Sequence, residues 1–357
     1  EMLIDALPQA MRVLTSPADT GTVTLALPQD VQAEAWEWPS GLLEPRTWVV
    51  PRPRPDTASL AAAAELIAAA ERPMIVVGGG VAYSDAADAL DAFVSRYDIP
   101  FTETQAGKDQ LRWDHPLNLG AIGATGTSAG NAVAHDADVV IAIGTRLSDF
   151  PTMSWSAWQH PDVRFIGINV AELDASKAAA LPLVGDARET LTELHAALDA
   201  RGYAGATPER RERVACLGRE WHDEATRVLH LSAENHVSQP EVIRLVNEAL
   251  GEDGIVVCAA GGLPGDMHKL WRPETRGSYH MEYGNSTMGY EIAGGFGVAM
   301  AEPGRRVHVM VGDGSYLMLA NEILTARQEG IGLTIVLLDN HGYRCIRNLS
   351  GACGADN

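Results

Sequence analysis

The hydrophobic positions along the chain alternate between short apolar runs and stretches with helical spacing. The runs MIVV at 74–77 and VVIAIG at 139–144 are two such segments, and each leads into a glycine turn. Continuous apolar strands are typical of parallel sheets whose two faces are both covered by helices. The pattern therefore predicts an α/β fold with two doubly wound parallel-sheet domains.

This alternation is interrupted, and the interruptions divide the chain. The segment GTVTLALPQDVQ at 21–32 is predicted to be a β-strand ending at Pro28, so that residues 1–32 form the tail of a third domain. The proline-rich stretch 33–56 has no periodicity and is predicted to be an extended linker. The other predicted units are a first α/β domain at 57–205, a charged helical linker at 206–236 and an incomplete second α/β domain at 237–357.

The net charge and the cysteine spacing exclude some classes of partner and of site. The net charge is −20 with no basic block to offset it, which argues against a nucleic acid or an anionic membrane surface as a partner. No apolar run approaches the length of a membrane span. The four cysteines lack CxxC spacing, so neither a zinc site nor a disulfide framework is predicted, and a cytoplasmic location is expected.

Three glycine-containing turns follow predicted strands of the second domain: AAGGLPG at 259–265, GDGS at 312–315 and DNHGY at 339–343. Ligands of open α/β sheets bind at this carboxyl edge, where glycines let backbone N–H groups approach an anion and helix N-termini favour negative charge. The residues predicted to contact such an anion are Gly261, Gly262, Leu263, Gly312, Gly314 and Ser315.

Asp313 and Asn340 are separated by one predicted strand–helix–strand crossover. If the two strands are neighbours, both side chains lie at the same edge of the sheet, where their oxygens suit Mg²⁺ completed by diphosphate and water. Taken singly, Asp313 is explained equally well as a helix cap and Asn340 as a turn residue. The pair and the crossover between them favour the metal–diphosphate site.

The sequence GDG at 312–314, followed by Asn340, resembles the diphosphate–Mg²⁺ motif of thiamine-diphosphate enzymes. The resemblance implies that the Asp313 and Asn340 side chains and the Gly342 carbonyl bind Mg²⁺. The stretch GNSTMGYEIAG at 284–294 resembles the segment under the aminopyrimidine ring of the cofactor. There Ser286 would offer its carbonyl to the 4′-amine, and Met288 would hold thiamine diphosphate in its bent form.

Within that family the sequence resembles the branch that opens a cyclic 1,2-diketone to 5-deoxy-glucuronate by hydrolysing a C–C bond in myo-inositol catabolism. The stretches that carry this resemblance are LALPQDVQAEA, ETQAGKDQLRWDHP, GAIGATGTSAGN, IGTRLSDFPTMSW, AAGGLPGDMHKLW, YHMEYG and MGYEIAGG. It implies a small cyclic diketone as substrate and a homodimer or homotetramer. It also implies that residues 1–32 end a pyrimidine-binding domain, that 57–205 form the middle domain and that 237–357 form the diphosphate-binding domain. The glutamate that activates the cofactor would lie N-terminal to this chain, so the fragment alone is expected to be inactive.

Several alternatives remain open at the level of sequence. His280 and Glu282 are candidates for handling substrate protons. Gly78 and Gly80 begin a dinucleotide-binding fingerprint that fails at Tyr83. The alternative functions are an acetolactate-synthase-type thiamine enzyme, a nucleotide-binding dehydrogenase and a non-enzymatic remnant that only assembles with partners.

Overall fold

The computed structural model describes residues 2–42, 44–232, 236–282 and 284–355. Its two sheets are parallel throughout, which confirms the predicted α/β class. The strands are β1 Pro73–Val77, β2 Phe101–Glu103, β3 Asn118–Ala121, β4 Val139–Ile143, β5 Arg164–Asn169, β6 Leu181–Val184, β7 Ile255–Cys258, β8 Tyr279–Met281, β9 Val307–Gly312 and β10 Thr334–Leu338. The helices are α1 Leu3–Leu14, α2 Thr57–Ala69, α3 Gly80–Tyr83, α4 Ala87–Tyr97, α5 Ser128–Asp136, α6 Asp149–Thr152, α7 Glu172–Ala175, α8 Ala187–Ala200, α9 Pro208–Leu229, α10 Gln239–Leu250, α11 Gly262–Leu270, α12 Tyr290–Ala301, α13 Asp313–Met318, α14 Glu322–Gln328 and α15 Arg344–Ala352.

The first sheet has the strand order β3-β2-β1-β4-β5-β6. Helices α2, α4 and α8 cover one of its faces, and α5 and α9 cover the other. This is the doubly wound order. Strands are added outward on one side of β1 and then, from β4, on the other side, and such sheets bind ligands in the crevice between β1 and β4.

The second sheet has the order β10-β9-β7-β8. Helices α10 and α11 pack on one face and α12 packs on the other, so its central strands are also buried on both sides. Because β9 and β10 are neighbours, the turns that follow them lie side by side.

Helix α9 joins the two domains through its apolar side chains. Val214, near its start, belongs to the core of the first domain, whereas Ala225 and Leu229, near its end, belong to the core of the second. Its N-terminus is fixed by Thr207, whose side chain accepts a hydrogen bond from the Arg210 N–H. One helix therefore anchors both cores.

Buried charges line a second contact between the domains. Asp109 accepts hydrogen bonds from the N–H groups of Ser278 at 3.0 Å and Tyr279 at 2.9 Å, where strand β8 begins. Lys108 Nζ lies 3.6 Å from the Glu103 carboxylate, and both side chains are almost fully buried. Burial raises the pKa of Asp109 to about 7, because the charged form is poorly solvated there.

The predicted strand at 21–32 is wrong. Residues 21–28 have no regular secondary structure and are almost all exposed, and within the described chain they pair with no other strand. An alternating pattern gives a strand only where a neighbouring strand accepts its hydrogen bonds. The residues before this segment form helix α1, which was not predicted from the sequence.

The helix predicted after GDGS is interrupted. Helices α13 and α14 are separated around Leu319, whose backbone φ of −153° is not helical. The three- and four-residue strands β2, β3, β6 and β8 were not predicted. Strand β7 is also short, but its run of Ile and Val marks a buried strand, and these four strands contain no such run.

Two further properties concern membranes and cysteines. None of the described helices has the length and apolar character needed to cross a membrane. The four cysteines all fall in described parts of the chain and are free thiols.

Candidate functional site

The candidate site is formed by turns that follow β7, β9 and β10. In the parallel ladder Leu338 pairs with Gly312, which places the ends of β10 and β9 next to each other. The expectation that one crossover brings Asp313 and Asn340 to the same edge is therefore confirmed. Strand β9 also pairs with β7, so the turn at 259–261 lies on the other side of GDGS.

Asp313 places a carboxylate between these turns. Its carboxylate accepts hydrogen bonds from the Gly342 N–H at 2.6 Å and the Asn340 N–H at 3.4 Å. Slight desolvation opposes ionisation, but the N–H donors of Gly342 and Asn340 outweigh it and lower the pKa of Asp313. Asp313 is thus a negative charge at neutral pH whose orientation is set by the neighbouring turn.

The side chain of Asn340 fits a cation at this place. Its Oδ1 is buried and has no hydrogen-bond partner among the described residues. A buried carbonyl oxygen without a donor is costly unless a ligand satisfies it. Together with the Asp313 carboxylate and the Gly342 carbonyl it makes the hard-oxygen donor set that Mg²⁺ prefers.

This donor set contains one carboxylate, not an acidic cluster. Among the described residues no group of three or more His, Cys, Asp or Glu side chains could hold a metal ion. Mg²⁺ commonly takes one or two protein carboxylates and completes its shell with phosphate oxygens and water. The arrangement therefore suits a metal that arrives with a phosphorylated ligand better than a metal held by protein alone.

The turn after β7 supplies an open backbone surface. Gly261 has φ +96°, which an L-residue rarely adopts, and Gly262 begins helix α11. A Cβ at either glycine would meet nothing within 4 Å, so the space in front of them is free. Leu263 differs, because its side chain lies in the core of the second domain and only its backbone could face a ligand.

The GDGS turn is shaped by its own neighbours. A Cβ on Gly314 would lie 2.8 Å from the Tyr343 ring, so a larger residue there would require that ring to move. Gly312 caps α13, and a Cβ there would make only an ordinary contact with Asn340. The Ser315 hydroxyl donates to the buried carboxylate of Glu291, which leaves its backbone N–H as the group it can offer an anion.

Glu291 is a residue of this site that was not predicted from the sequence. It lies in the first turn of α12, is fully buried, and accepts hydrogen bonds from three chain segments. A signal was available in the sequence, because MGYEIAGGFG places one acid in an otherwise small and apolar helix.

The segment 284–289 lies beside these turns, and its residues 284–287 are exposed. Ser286 has φ +51°, an uncommon conformation for a residue other than glycine, and Met288 is half-buried. Glu282 orders this segment by accepting hydrogen bonds from the N–H groups of Asn285 at 3.0 Å and Thr287 at 2.6 Å.

Glu282 is therefore placed as a loop cap. Partial burial opposes its ionisation, but the N–H groups of Thr287 and Asn285 outweigh it and lower the pKa of Glu282. A carboxylate with a lowered pKa is a poor proton donor near neutral pH.

His280 is paired with Tyr290. Its Nε2 lies 2.6 Å from the Tyr290 hydroxyl, and the two rings are stacked with an angle of 18° between their planes. Burial lowers the pKa of His280, which favours the neutral imidazole that can accept a proton. Burial and the charge of Glu282 raise the pKa of Tyr290, so the hydroxyl keeps its proton.

The glycine turn of the first domain does not form a comparable surface. The N–H of Gly78 donates to Ile143 and the N–H of Gly80 donates to Gly144, at 2.8 Å and 2.9 Å. A Cβ on Gly80 would lie 2.5 Å from the Gly144 Cα. These glycines let two backbone segments close the crevice between β1 and β4, and the structure gives no support to a dinucleotide there.

Comparisons with known proteins agree with this geometry. A family model for the central domain of thiamine pyrophosphate enzymes matches residues 60–194, and one for their C-terminal TPP binding domain matches residues 259–357. The chain is 43% identical over 374 aligned residues to 3D-(3,5/4)-trihydroxycyclohexane-1,2-dione hydrolase 1 of a strain of Bacillus cereus. It is equally similar to the 3D-(3,5/4)-trihydroxycyclohexane-1,2-dione hydrolase of Bacillus thuringiensis (strain Al Hakam). Each alignment covers 98% of this chain and 58% of the relative, so the chain spans less than two thirds of the relatives' length.

Proposed function

The chain belongs to the thiamine pyrophosphate enzymes, and on that premise we propose that it is the cofactor-anchoring part of a C–C bond hydrolase that opens a trihydroxycyclohexane-1,2-dione. The observation that carries the proposal is the arrangement of two groups at the edge of the second sheet. The Asp313 carboxylate accepts the Asn340 N–H, and the buried Oδ1 of Asn340 has no hydrogen-bond partner among the described residues. The substrate comes from the relatives, whose names specify that dione.

In this proposal the second domain holds the diphosphate end of the cofactor. Asp313, Asn340 and the Gly342 carbonyl would bind Mg²⁺, which would supply positive charge to the diphosphate. The backbone N–H groups of Gly261, Gly262, Leu263, Gly312, Gly314 and Ser315 would donate to the same anion. Support comes from the free space in front of Gly261 and Gly262 and from the hydrogen bonds that orient Asp313.

The cofactor's other end is assigned to the segment 284–289. Thiamine diphosphate, when bound, supplies the nucleophilic carbon and the electron sink for C–C cleavage. The Ser286 carbonyl is proposed to accept a hydrogen bond from the cofactor's amine, and Met288 to support its bent form. Glu282 keeps this segment in place through the N–H groups of Asn285 and Thr287.

His280 and Tyr290 are proposed to move a proton during ring opening. Hydrolysis of a C–C bond next to a carbonyl places the hydroxyl of water on the acyl carbon and a proton on the carbon that leaves. The neutral imidazole of His280, 2.6 Å from the Tyr290 hydroxyl, can hold such a proton.

The assembly and surroundings of the protein are also proposals. We propose a homo-oligomer, at least a dimer, in the cytoplasm. The support is the family's use of active sites shared between subunits and the free thiols of the chain.

An assay of the complete protein tests this function. With thiamine diphosphate and Mg²⁺ it should release an acid from trihydroxycyclohexane-1,2-dione, recorded by proton release or by mass spectrometry. Pyruvate serves as the control substrate, because an acetolactate-synthase-type enzyme would condense it. Acetolactate formation without acid release from the dione would contradict the proposal.

A further inference from the structure

We propose that Glu291 is a positioning residue that holds the two anion-binding turns of the second sheet at a fixed separation. The inference rests on the proposed function, because it concerns the same cofactor site. In this inference Glu291 would contact neither the cofactor nor Mg²⁺. It would act through the two turns that are proposed to bind them.

The need for such a residue follows from where the strand pairing stops. The ladder between β7 and β9 ends at the pair Val257 and Val309. The turn at 259–261 and the GDGS turn both lie beyond it. Their backbone N–H groups must nevertheless point at one anion, so something other than the ladder must set their spacing.

The carboxylate of Glu291 makes that connection. Its Oε1 accepts the Ala260 N–H at 3.3 Å, and its two oxygens lie 2.8 Å and 2.7 Å from the Ser315 hydroxyl. Its Oε2 also accepts the Gly289 N–H at 3.1 Å, and that N–H lies 2.8 Å from the Ser315 oxygen as well. One side chain therefore ties the turn after β7, the turn after β9 and the start of α12.

The three partners of residue 291 call for an oxygen acceptor at both of its terminal positions. Ala260 and Gly289 each present an N–H, and the Ser315 hydroxyl is already an acceptor for Gly289 and has its proton left to donate. Both oxygens of residue 291 must therefore accept. An amide would direct its NH₂ group at an N–H donor on one side, which leaves a buried donor unsatisfied.

The burial of Glu291 supports the same role. The residue is fully buried. A buried carboxyl group is retained only where its hydrogen bonds offset the cost of desolvation. Those hydrogen bonds go to the two turns and to the start of α12, so holding these segments together is what the side chain accomplishes.

Calorimetric titration of this chain tests the inference, with Mg²⁺ present and with thiamine diphosphate, inorganic diphosphate and unphosphorylated thiamine as separate probes. Glu291→Gln should raise the Kd for thiamine diphosphate by about tenfold or more, the scale of one lost hydrogen bond to a charged group. The same factor should appear with inorganic diphosphate, whereas any weak binding of thiamine should be unchanged. A purely structural role would not produce this dependence on the diphosphate group.

The matched control is Ile292→Ala, the next residue on α12, which is buried in the opposite core. It should lower the melting temperature and leave the Kd for diphosphate within about twofold, because its apolar side chain makes no hydrogen bond to either turn. Ser315→Ala is the second variant, and it removes only the hydroxyl through which the GDGS turn is bonded to Glu291. It should weaken diphosphate binding less than Glu291→Gln does, and it keeps the test decisive if Glu291→Gln does not fold.

Two results would overturn the inference. The first is wild-type affinity for diphosphate in a folded Glu291→Gln variant or, if that variant does not fold, in Ser315→Ala. The second is an equal loss of affinity in Ile292→Ala. Failure of the wild-type chain to bind any diphosphate probe is a different outcome, because it would remove the proposed function and the inference together.

Discussion

Both sheets of this protein end in glycine turns at their carboxyl edges, yet the two edges differ in what surrounds the glycines. In the first domain Gly78 and Gly80 donate their N–H groups to the chain on the far side of the crevice, and a Cβ on either glycine would overlap that chain. In the second domain Gly261 and Gly262 face open space, and a buried amide oxygen of Asn340 lacks a donor among the described residues. A strand followed by glycines therefore marks a place where another group can approach the backbone closely. The neighbouring groups decide whether a ligand or another loop of the chain fills that place.

The largest expected effect separates the two kinds of glycine. Gly78→Ala should lower the free energy of unfolding by about 3 kcal/mol or more, because its Cβ would overlap the backbone of Gly144, which cannot move aside. Gly262→Ala should change stability by less than about 1 kcal/mol, since its Cβ meets nothing and alanine favours a helix.

Cofactor affinity should show the opposite order in the same two variants. Folded Gly78→Ala should bind thiamine diphosphate like the wild type, and Gly262→Ala should bind it about tenfold more weakly. Urea unfolding and calorimetry measure the two quantities. If both variants lose stability equally, the contrast between the two turns is wrong.

A smaller effect is expected where the two domains touch, at Asp109. Its folded pKa of about 7 lies above the ordinary value of about 3.9, so the folded protein binds the proton more tightly than the unfolded chain. The resulting stabilisation is complete below about pH 4 and is lost as the pH rises through 7. Asp109→Asn keeps an acceptor for Ser278 and Tyr279 and tolerates the left-handed φ of +73°.

The wild type should therefore lose on the order of 2 kcal/mol more than Asp109→Asn between pH 5 and pH 8. Denaturant unfolding of both proteins at the two pH values measures this difference. Equal pH dependence in the two proteins would show that Asp109 is ionised in the fold.

The smallest effect concerns the partnerless oxygen of Asn340. Asn340→Ala should leave the unliganded protein as stable as the wild type, because it removes a buried acceptor for which the described residues supply no donor. It should also weaken Mg²⁺-dependent binding of thiamine diphosphate by about tenfold, which reduces the rise in melting temperature on adding both. A destabilised unliganded variant with normal affinity would mean that Asn340 serves the turn and not the metal.

The sequence predicts much of this architecture, for physical reasons that can be traced to particular residues. Asp313 and Asn340 could be paired in advance because a single crossover between parallel strands leaves both strand ends at one edge. The strand at 21–32 could not be judged, because pairing depends on a partner that a local pattern does not reveal.

The role of Glu291, unlike its burial, and the closed crevice at Gly78 could not be predicted from the sequence, for a related reason. The partners of Glu291 come from three separate segments, around Ala260, Gly289 and Ser315. The partner of Gly78 and Gly80 is the distant chain around Gly144. Such long-range contacts decide the role of a residue after the elements are packed, and periodicity carries no information about them.

The central claim is that Asp313 anchors thiamine diphosphate through Mg²⁺ at the edge of the second sheet. Titration of the wild type, Asp313→Ala and Asp339→Ala with thiamine diphosphate in the presence and absence of Mg²⁺ tests it most directly. Asp339 is the matched control, because it is an exposed acid in the neighbouring turn. We expect Mg²⁺-dependent binding by the wild type and by Asp339→Ala, and a loss of affinity of about a hundredfold or more in Asp313→Ala. Equal binding by the wild type and Asp313→Ala would contradict it.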